Sequence, residues 1–350
     1  MRPKKYFAAA NGYNGFRSYF NDVFDSEKFD SVYVLKGGPG TGKSSLMKRI
    51  AEDARKNGIS TEEIFCSSDP HSLDGVIIGE KCKVAIIDGT APHERDAIFP
   101  GIIDEIINLD EGWNSAWLRA KRDKLIALAA QKKDAYRAAY SYLSTAGSCM
   151  KQIREATRLS VDGEMLKKEA KKLADEFAKD GEGVTDIALS GSFGKYGEYT
   201  LNDYFTTSDR VIRLKGDKLI GQLIIKEVLD VAKMRGANCV ISPDALDEHY
   251  INALYFYDTD TAIAMTDTDD NEAISLDKFL KNEGVSDIHS EKRANELYSI
   301  TMEEAKRFFS IASDMHFRLE EHYSEAMDFA YNERVYKKYS DIILEKCKNS

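Results

Sequence analysis

The chain has 350 residues, 43% of them hydrophobic, so it is long enough for about two domains with buried cores. Its 59 acidic and 49 basic residues give a net charge of −10, which excludes a general nucleic-acid binder or membrane-surface binder. No apolar run could span a membrane, no signal peptide is predicted, and the five scattered cysteines form no C-x-x-C pair, so we expect a cytoplasmic protein.

A strand, a glycine-rich loop and a helix are predicted one after another near the start of the chain. Ser31–Lys36 has the composition of a short buried strand, residues 37–44 read GGPGTGKS, and residues 45–54 have apolar side chains at helical spacing. Gly58 is the expected end of this helix. The octapeptide fits G-x-x-x-x-G-K-[ST], the phosphate-binding loop or Walker A motif. Glycines let backbone N–H groups approach phosphates, and the helix N-terminus adds positive potential.

This loop predicts a site for ATP and Mg²⁺. The expected nucleotide contacts are Gly38, Pro39, Gly40, Thr41, Gly42, Lys43, Ser44 and Ser45. Lys43 should reach the β- and γ-phosphates, and the Ser44 hydroxyl should bind Mg²⁺. ATP is the default nucleotide because the chain lacks the N-K-x-D segment by which GTPases select guanine.

Two later strands are predicted to end at the same edge of a parallel sheet, where ligands bind in such folds. Residues 64–68 form the first and are followed by a loop over residues 69–72. Residues 83–88 form the second, an apolar strand that ends in Asp88 in the manner of a Walker B motif. Asp88 is therefore predicted to hold Mg²⁺, directly or through water, and to be catalytic together with Lys43.

The residue after Asp88 leaves the hydrolytic mechanism open. Many hydrolysing P-loop proteins place Glu there to orient the attacking water, whereas this chain has Gly89. Either another group positions the water, with Glu94, Asp69 and His93 as candidates, or hydrolysis is slow. His71 and His93 are predicted on loops near the site, where a turn or capping role is the main alternative to catalysis.

Long helices are predicted after each α/β unit. Residues 115–159 carry a helical apolar stripe and would be roughly 65 Å long if unbroken. A turn at residues 160–163, a charged helix at 164–179 and a linker at 180–183 follow. Residues 291–348 lack Gly and Pro and carry a similar stripe. The heptads are too irregular for a strict coiled-coil seam, so we expect ordinary helices packed on the domains.

The second half of the chain is predicted to be a degenerate copy of the first. Four segments of the first half match the second in the same order, namely 32–37 with 211–216, Gly42 with Gly221, 21–24 with 202–205, and 68–74 with 242–247. In this alignment Gln222 stands for Lys43 and Leu223 for Ser44, so the copy lacks a competent nucleotide site. The predicted domains are 1–180, a nucleotide-binding unit with a helical arm, and 181–350, the repeat with its own arm.

The chain resembles a little-characterised group of bacterial proteins with two P-loop NTPase units in tandem, usually described as ATPases. The resemblance covers most of the chain and is carried by VLKGGPGTGKS at 34–44, CSSD at 66–69, LDGVII at 73–78 and IDGTAPH at 87–93. It implies an α/β fold of duplicated P-loop-type parallel sheet units, each followed by long α-helices. Members typically carry an intact phosphate loop in both halves, and this chain departs from them at Gln222 and Leu223.

Three functions are compatible with these features. The first is a Mg²⁺-dependent ATPase whose cycle moves the helical arms, which are also the predicted surface for a protein partner. The second is a small-molecule phosphotransferase, with Arg119 and Arg122 on the arm as lid candidates. The third is a nucleotide-dependent binding switch with little turnover.

Overall fold

The computed structural model describes residues 3–201, 203–266, 272–281 and 288–348, with the backbone alone for residues 203 and 288–290. It is an α/β protein with two six-stranded mixed sheets and long helices. The first half contains β1 (Lys4–Phe7), β2 (Ala9–Gly12), β3 (Gly15–Ser18), α1 (Phe20–Val23), β4 (Ser31–Lys36), α2 (Lys43–Lys56), β5 (Thr61–Phe65), β6 (Leu73–Ile78), β7 (Val84–Asp88), β8 (Asp104–Asn108), α3 (Ser115–Ala120), α4 (Arg122–Ser160) and α5 (Gly163–Phe177). The second half contains β9 (Thr185–Ile187), β10 (Gly191–Gly194), β11 (Gly197–Thr200), α6 (Asp203–Thr206), β12 (Arg210–Lys215), α7 (Lys218–Met234), β13 (Cys239–Pro243), β14 (Ile251–Phe256), β15 (Thr261–Met265), β16 (Ile274–Ser275), α8 (Ile288–Glu325) and α9 (Phe329–Lys348).

The predicted strand before the glycine loop is confirmed with its bounds, since β4 spans Ser31–Lys36 and only its last residue is not buried. The helix after the loop is α2, and Gly58, with φ of +77°, follows its end as a left-handed residue. The prediction of parallel sheets is wrong, because β6 runs antiparallel to both β5 and β7. The β5–β6 and β6–β7 connections are too short for the crossover that parallel neighbours need.

The two sheets have the same strand order. The first runs β1-β5-β6-β7-β4-β8 and the second runs β9-β13-β14-β15-β12-β16, so each strand has a counterpart in the other sheet. The registers agree as well: Gly75 faces Ile87 in the first sheet, and Ala253 faces Ala264 at the corresponding place in the second. This agreement makes duplication of one unit plausible.

The structure contradicts the predicted alignment of the halves at two places. The match of Gly42 with Gly221 is wrong by one residue, because the buried positions of α2 and α7 and the left-handed glycines after them, Gly58 and Gly236, coincide when Lys43 is aligned with Gly221. The match of 68–74 with 242–247 is wrong, because Leu73 begins β6 whereas Leu246 lies in the loop after β13. A match of a few polar residues in the sequence cannot distinguish a loop from the strand that follows it. Of the match between 21–24 and 202–205, Asn202 lies outside the described residues.

The long helices differ from their predictions at two breaks. The helix predicted over 115–159 is divided at Lys121 into α3 and α4, and α4 alone has 39 residues, or about 58 Å. The helix predicted over 164–179 is α5, and its first turn is capped by the Asp162 carboxylate, which accepts from the amides of Glu164 and Met165. The continuous segment 291–348 is broken at residues 326–328, between α8 and α9.

The helices pack crosswise on the two sheets. α5, from the middle of the chain, packs on α7 and the second sheet through residues such as Leu166 and Phe177. α9, from the end of the chain, packs on α2 and the first sheet through Val335, Tyr339 and Ile343. α4 and α8 pack on each other over most of their length. Single antiparallel β-bridges, outside the named strands, join the chain beside the ends of these two helices. The division at residues 180/181 stays a prediction, and helices from both sides of it cover the opposite sheet.

The sheets meet at the centre of the molecule, where the ends of β1 and β9 approach each other. The amide of Phe7 donates to the carbonyl of Leu189 at 2.9 Å, and the amide of Leu189 donates back at 3.0 Å. Side chains from both halves, including Phe24 after α1 and Phe205 of α6, share one core with strand residues of both sheets across this junction. A search of the described residues for a helix long and apolar enough to cross a membrane finds none.

Candidate phosphate-binding site

The glycine loop after β4 contains three glycines with positive φ. Gly37, Gly40 and Gly42 have φ of +152°, +72° and +82°, a region that side-chain-bearing residues avoid. The loop leads into α2. Its N-cap residue is Gly42, so no N-cap side chain accepts a hydrogen bond from the first amides of the helix. Because the first amides of a helix have no intrahelical acceptor, this N-terminus presents donors without a protein cap.

Lys43 and Asp88, predicted as the catalytic pair, lie together at the edge of the sheet. Lys43 Nζ is 3.5 Å from Asp88 Oδ2, with both side chains largely buried at 11% and 17% exposure. Nζ also donates to the carbonyl of Gly37 and, at 3.1 Å, to that of Gly38. The ammonium group is therefore held inside its own loop, where phosphate oxygens would replace the carbonyls. The Thr41 hydroxyl donates to the Gly38 carbonyl at 2.9 Å and closes the turn.

Asp88 is held in one orientation by the residue that follows Gly89. Its Oδ1 accepts from the amide of Thr90 at 2.9 Å and from the Thr90 hydroxyl at 2.6 Å. Burial raises the pKa of Asp88 above its ordinary value, although Lys43 and the Thr90 hydrogen bonds favour the carboxylate. A cation brought to this edge would therefore stabilise the ionised form.

The remaining predicted contacts lie on the loop and the first turn of α2. Ser44 Oγ accepts from the amide of Leu73 at 2.9 Å, which ties the start of α2 to the start of β6. Thr41 is buried, Pro39 is half-buried and Ser45 is exposed. Because β6 is antiparallel to β7, its first residues reach the same edge as Asp88.

Asp74, the second residue of β6, was not predicted as a site residue. It faces the cross-strand position of Asp88, one step beyond the Gly75–Ile87 pair, and its side chain is 9% exposed. Sequence reasoning assigned ligands to the carboxyl ends of parallel strands, and Asp74 begins an antiparallel one. An acidic residue at the start of an otherwise apolar segment, LDGVII, was the available signal.

The candidates for positioning water are dispersed by the fold. Glu94 is exposed and His71 is exposed on the loop after β5. Asp69 lies on the same loop, where Lys195 from the other half approaches it at 3.7 Å. His93 is turned inward, with Nε2 3.2 Å from Asp74 Oδ2.

Residues from the end of the chain cover the glycine loop. We call residues 320–332, where α8 ends and α9 begins, the elbow. The Ser324 hydroxyl donates to the Gly40 carbonyl at 3.3 Å, and Asn332 Nδ2 donates to the Thr41 carbonyl at 2.7 Å. A Cβ at Gly40 would lie 2.7 Å from the carbonyl oxygen of Glu320, so the two segments are in close contact.

The elbow is joined to a second covering segment, residues 109–114. The amide of Asn114 donates to Ala326 and the amide of Asp328 donates to Gly112, both at 2.8 Å. The Trp113 ring lies against Gly38, where a Cβ would come within 2.8 Å of it. The loop is thus enclosed between its own sheet and two segments distant in sequence.

Two carboxylates occupy positions at the loop where a phosphate would be expected. Asp110 Oδ1 accepts from the amide of Gly38 at 3.1 Å. A hydrogen bond from His316 lowers the pKa of Glu320, and the Gly40 amide and the charge of Lys43 add to this shift. Anionic side chains and phosphates are bound by the same kind of backbone donors.

Comparison of the chain with protein-family models, with curated proteins and with solved structures finds no match. The resemblance to tandem P-loop proteins stays a prediction.

The donor set at this edge fits a Mg²⁺ ion bound together with phosphates. Mg²⁺ in nucleotide sites takes one or two carboxylates, and phosphate oxygens and water complete its shell. Asp88 and Ser44 are the predicted ligands, and the buried Oδ2 of Asp74 has no hydrogen-bond partner. Within the described ranges no three His, Cys, Asp or Glu side chains form a group that could hold a metal. A cation here would therefore depend on oxygens supplied by the nucleotide.

In the second unit, the helix that corresponds to α2 is capped by a side chain from the loop before it, that of Asp217. α7 begins at Lys218, directly after Gly216 and Asp217, so no phosphate loop separates it from β12. The Asp217 carboxylate accepts from the amides of Leu219 and Ile220 at 2.8 and 3.2 Å, and an anion would be repelled there. The absence of a nucleotide site in this unit stays a prediction, and Ile220 lies in the core rather than over the loop.

Gln222 and Leu223 also have structural partners in the second unit. Gln222 Nε2 donates to Asn252 Oδ1 at 2.7 Å and to Asp244 Oδ2 at 3.2 Å, and Leu223 packs on the core. Asp244 is ion-paired with Lys218 at 2.9 Å. Burial alone would raise the pKa of Asp244, but this ion pair and the hydrogen bonds hold it below its ordinary value.

The lid candidates Arg119 and Arg122 are both exposed. Arg122 donates to the neighbouring Asp123 at 3.0 Å. Covering of the loop in this structure comes instead from residues 109–114 and the elbow.

Proposed function

We propose that this chain binds ATP with Mg²⁺ at the glycine loop and hydrolyses it, with the cycle coupled to movement of the elbow. The observation that carries the proposal is the arrangement of Lys43. Its ammonium group lies inside a left-handed glycine loop, at an uncapped helix N-terminus, 3.5 Å from the strand-terminal carboxylate of Asp88. That combination of donors, cation and carboxylate is suited to a Mg²⁺-bound triphosphate.

The contacts of the loop favour coupling between nucleotide binding and conformation. Asp110 accepts from a loop amide that a phosphate would use, so binding should displace it, and the Glu320 carboxylate, whose pKa is lowered by His316, the Gly40 amide and Lys43, would lie close to the bound phosphates. Glu320 lies on α8, which runs beside α4 and contacts β10 and β11 of the second unit. A change at the phosphates could therefore reach both halves through one rigid helix.

In this proposal Lys43 binds the β- and γ-phosphates, and Ser44 and Asp88 hold the cation. The cation, when bound, neutralises charge that develops on the phosphate oxygens. The second unit serves as a scaffold, since Asp217 caps the helix that would otherwise receive a phosphate. One nucleotide per chain is the expected stoichiometry.

The test is calorimetric titration with ATP and Mg²⁺, combined with measurement of phosphate release. Contacts to charged groups contribute about 1.5–3 kcal/mol each, so Lys43→Ala should weaken ATP binding at least roughly tenfold. Asp88→Asn should spare binding more than turnover. Gln222→Ala, in the corresponding helix of the second unit, is the control and should leave one site of unchanged affinity. Equal ATP affinity in Lys43→Ala and wild type would contradict the site assignment.

The alternatives give different outcomes in the same assays. Phosphate release by the purified protein supports the ATPase. Phosphate transfer that requires a small-molecule fraction from cell extract supports a phosphotransferase. Tight binding with no release or transfer supports a nucleotide-dependent switch, for which the elbow would be the moving part.

A further inference from the structure

Asp74 is a buried acidic residue that the proposed binding of nucleotide and cation does not use. Its Oδ2 has no solvent exposure of note and no hydrogen-bond partner among the described residues. Orphaned buried polar atoms are rare in folded proteins and call for a functional or solvent partner. Here the unpaired oxygen atom lies at the edge of the sheet where Lys43 and Asp88 also lie.

The local backbone directs Asp74 toward that edge. Ile64 of β5 pairs with Gly75, but the next residue, Phe65, pairs with Leu73, so Asp74 is the extra residue of a β-bulge. Bulges redirect side chains and are frequent beside active sites. Across the other neighbour, the β6–β7 ladder ends at the pair Gly75–Ile87, and Asp74 and Asp88 are the next residues beyond that pair on the two strands.

The second sheet shows where a side chain from this bulge reaches. It has the same bulge, since Ser242 pairs with Ala253 and Pro243 with Ile251, and Asn252 is its extra residue. Asn252 Oδ1 accepts from Gln222, which occupies the position of Ser44 in the superposed helices. A side chain at this bulge therefore contacts the first turn of the following helix, the turn that carries Lys43 and Ser44 in the first unit.

The chemistry of the bulge changes together with that of the phosphate site. The matching positions of the two units pair Lys43 with Gly221, Ser44 with Gln222, Asp74 with Asn252 and Asp88 with Met265. Every charged group of the first set is neutral in the second. Asp74 thus varies with the groups that bind phosphate and cation.

His93 restrains the Asp74 carboxylate. Its Nε2 lies 3.2 Å from Asp74 Oδ2 without hydrogen-bond alignment, and its side chain is 4% exposed. The imidazole is stacked on Phe20 at 3.9 Å between ring centroids and 11° between planes, and Nδ1 is 3.4 Å from Ser18 Oγ. A ring packed in this way limits how far the neighbouring carboxylate can turn.

We propose that Asp74 is the group that orients the attacking water and accepts its proton, in the role that Gly89 cannot fill, and that His93 is its positioning residue. This rests on the proposed ATPase function. The water oxygen forms a bond to the γ-phosphorus, the bond from that phosphorus to the bridging oxygen breaks, and its electron pair stays on ADP. One water proton passes to the Asp74 carboxylate and is then released to solvent, and the other stays on the phosphate.

The experiment measures ATP affinity by calorimetry and phosphate release under steady-state conditions. Variants are Asp74→Asn, Asp74→Glu and His93→Gln, with Glu80→Gln, an exposed carboxylate beyond the other end of β6, as the control. Loss of a general base lowers turnover by about 10²–10⁴-fold, so Asp74→Asn should lose at least roughly a hundredfold in kcat with ATP affinity within about threefold of wild type. Asp74→Glu should recover part of kcat, and His93→Gln should lower kcat about tenfold at unchanged affinity.

The asparagine variant is compatible with the fold, because Asn252 occupies the same bulge in the second sheet. If Lys43→Ala abolishes the turnover of the wild type but Asp74→Asn leaves kcat unchanged, this inference is overturned and the ATPase proposal stays intact. Equal losses of affinity and kcat would make Asp74 a binding residue and would also overturn it. A wild type that binds ATP without releasing phosphate would overturn the hydrolase proposal and this role with it.

Discussion

Removal of the Asp110 carboxylate should increase the affinity for ATP. Asp110 Oδ1 accepts from the amide of Gly38 at 3.1 Å, and we expect a phosphate oxygen to take that amide. The turn that carries Asp110 is held by backbone contacts, since its amide donates to Asn108 Oδ1 and its carbonyl accepts from the amide of Trp113. Asp110→Ala keeps both contacts, so the effect on the loop is separable from an effect on folding.

The magnitude follows from the kind of contact. A hydrogen bond to a charged group contributes about 1.5–3 kcal/mol, and the partial exposure of Asp110 puts this contact at the lower end. About 1.4 kcal/mol corresponds to a factor of ten, so the Kd for ATP should fall roughly tenfold in Asp110→Ala. Asp110→Asn keeps a neutral acceptor and should give a smaller gain.

Calorimetric titration of wild type and the two variants measures this effect, with Asp123→Ala, an exposed carboxylate on α4, as the control. The order of affinity should be alanine, asparagine, wild type. An affinity for ATP that is unchanged or lower in Asp110→Ala would refute competition between this carboxylate and the phosphates. It would then indicate that residues 109–114 help to bind the nucleotide.

Three further predictions concern the elbow, the second unit and the switch. Gly40→Ala should lower the free energy of unfolding by more than Gly58→Ala. Both glycines are left-handed, so an alanine costs about 1–2 kcal/mol at either position. Only at Gly40 does the added Cβ also lie 2.7 Å from a carbonyl oxygen. Equal losses in urea denaturation would argue against the elbow contact. Lys218→Met should lower the free energy of unfolding by about 1–2 kcal/mol at pH 7, because it leaves the Asp244 carboxylate buried without its cation. This is less than the usual cost of breaking a buried ion pair because Lys218 is half exposed. Since the pKa of Asp244 is held low in the folded state, this difference from wild type should be full at pH 7 and shrink as the pH falls below about 4; a difference independent of pH would contradict the ion-pair explanation. Hydrogen exchange over residues 89–125 and the elbow should differ between a non-hydrolysable ATP analogue and ADP, and equal protection in both states would favour a static phosphotransferase site.

The sequence was informative where local chemistry determines structure. The glycine loop needs left-handed residues at particular positions, so the pattern at 37–44 predicts both its backbone and the strand and helix beside it. The end of α2 follows from Gly58 by the same local reasoning. Asp88 was found because its strand is parallel to β4.

The remaining features depend on contacts between distant residues. Residues 73–78 were not assigned to a strand from the sequence, so the short connections that require β6 to be antiparallel went unused, and the bulge appears only when β5 and β6 are paired. The breaks at Lys121 and at residues 326–328 contain neither Gly nor Pro, and the second is held by hydrogen bonds to residues 112–114. The elbow and the glycine loop are more than 280 positions apart, so no local pattern could bring them together.

The crosswise packing of α5 and α9 has a consequence for the synthesis of this chain. The face of the first sheet that carries Tyr33 and Leu35 is covered partly by α9, through Val335 and Tyr339. This face cannot be buried until residues 329–348 have left the ribosome, whereas α5 is translated before the second sheet that it covers. The first unit must therefore wait, with its apolar face exposed, for the rest of the chain. Of the two segments that cover the glycine loop, the elbow is translated last, so under the proposed function a nascent chain could bind ATP before the elbow closes over it.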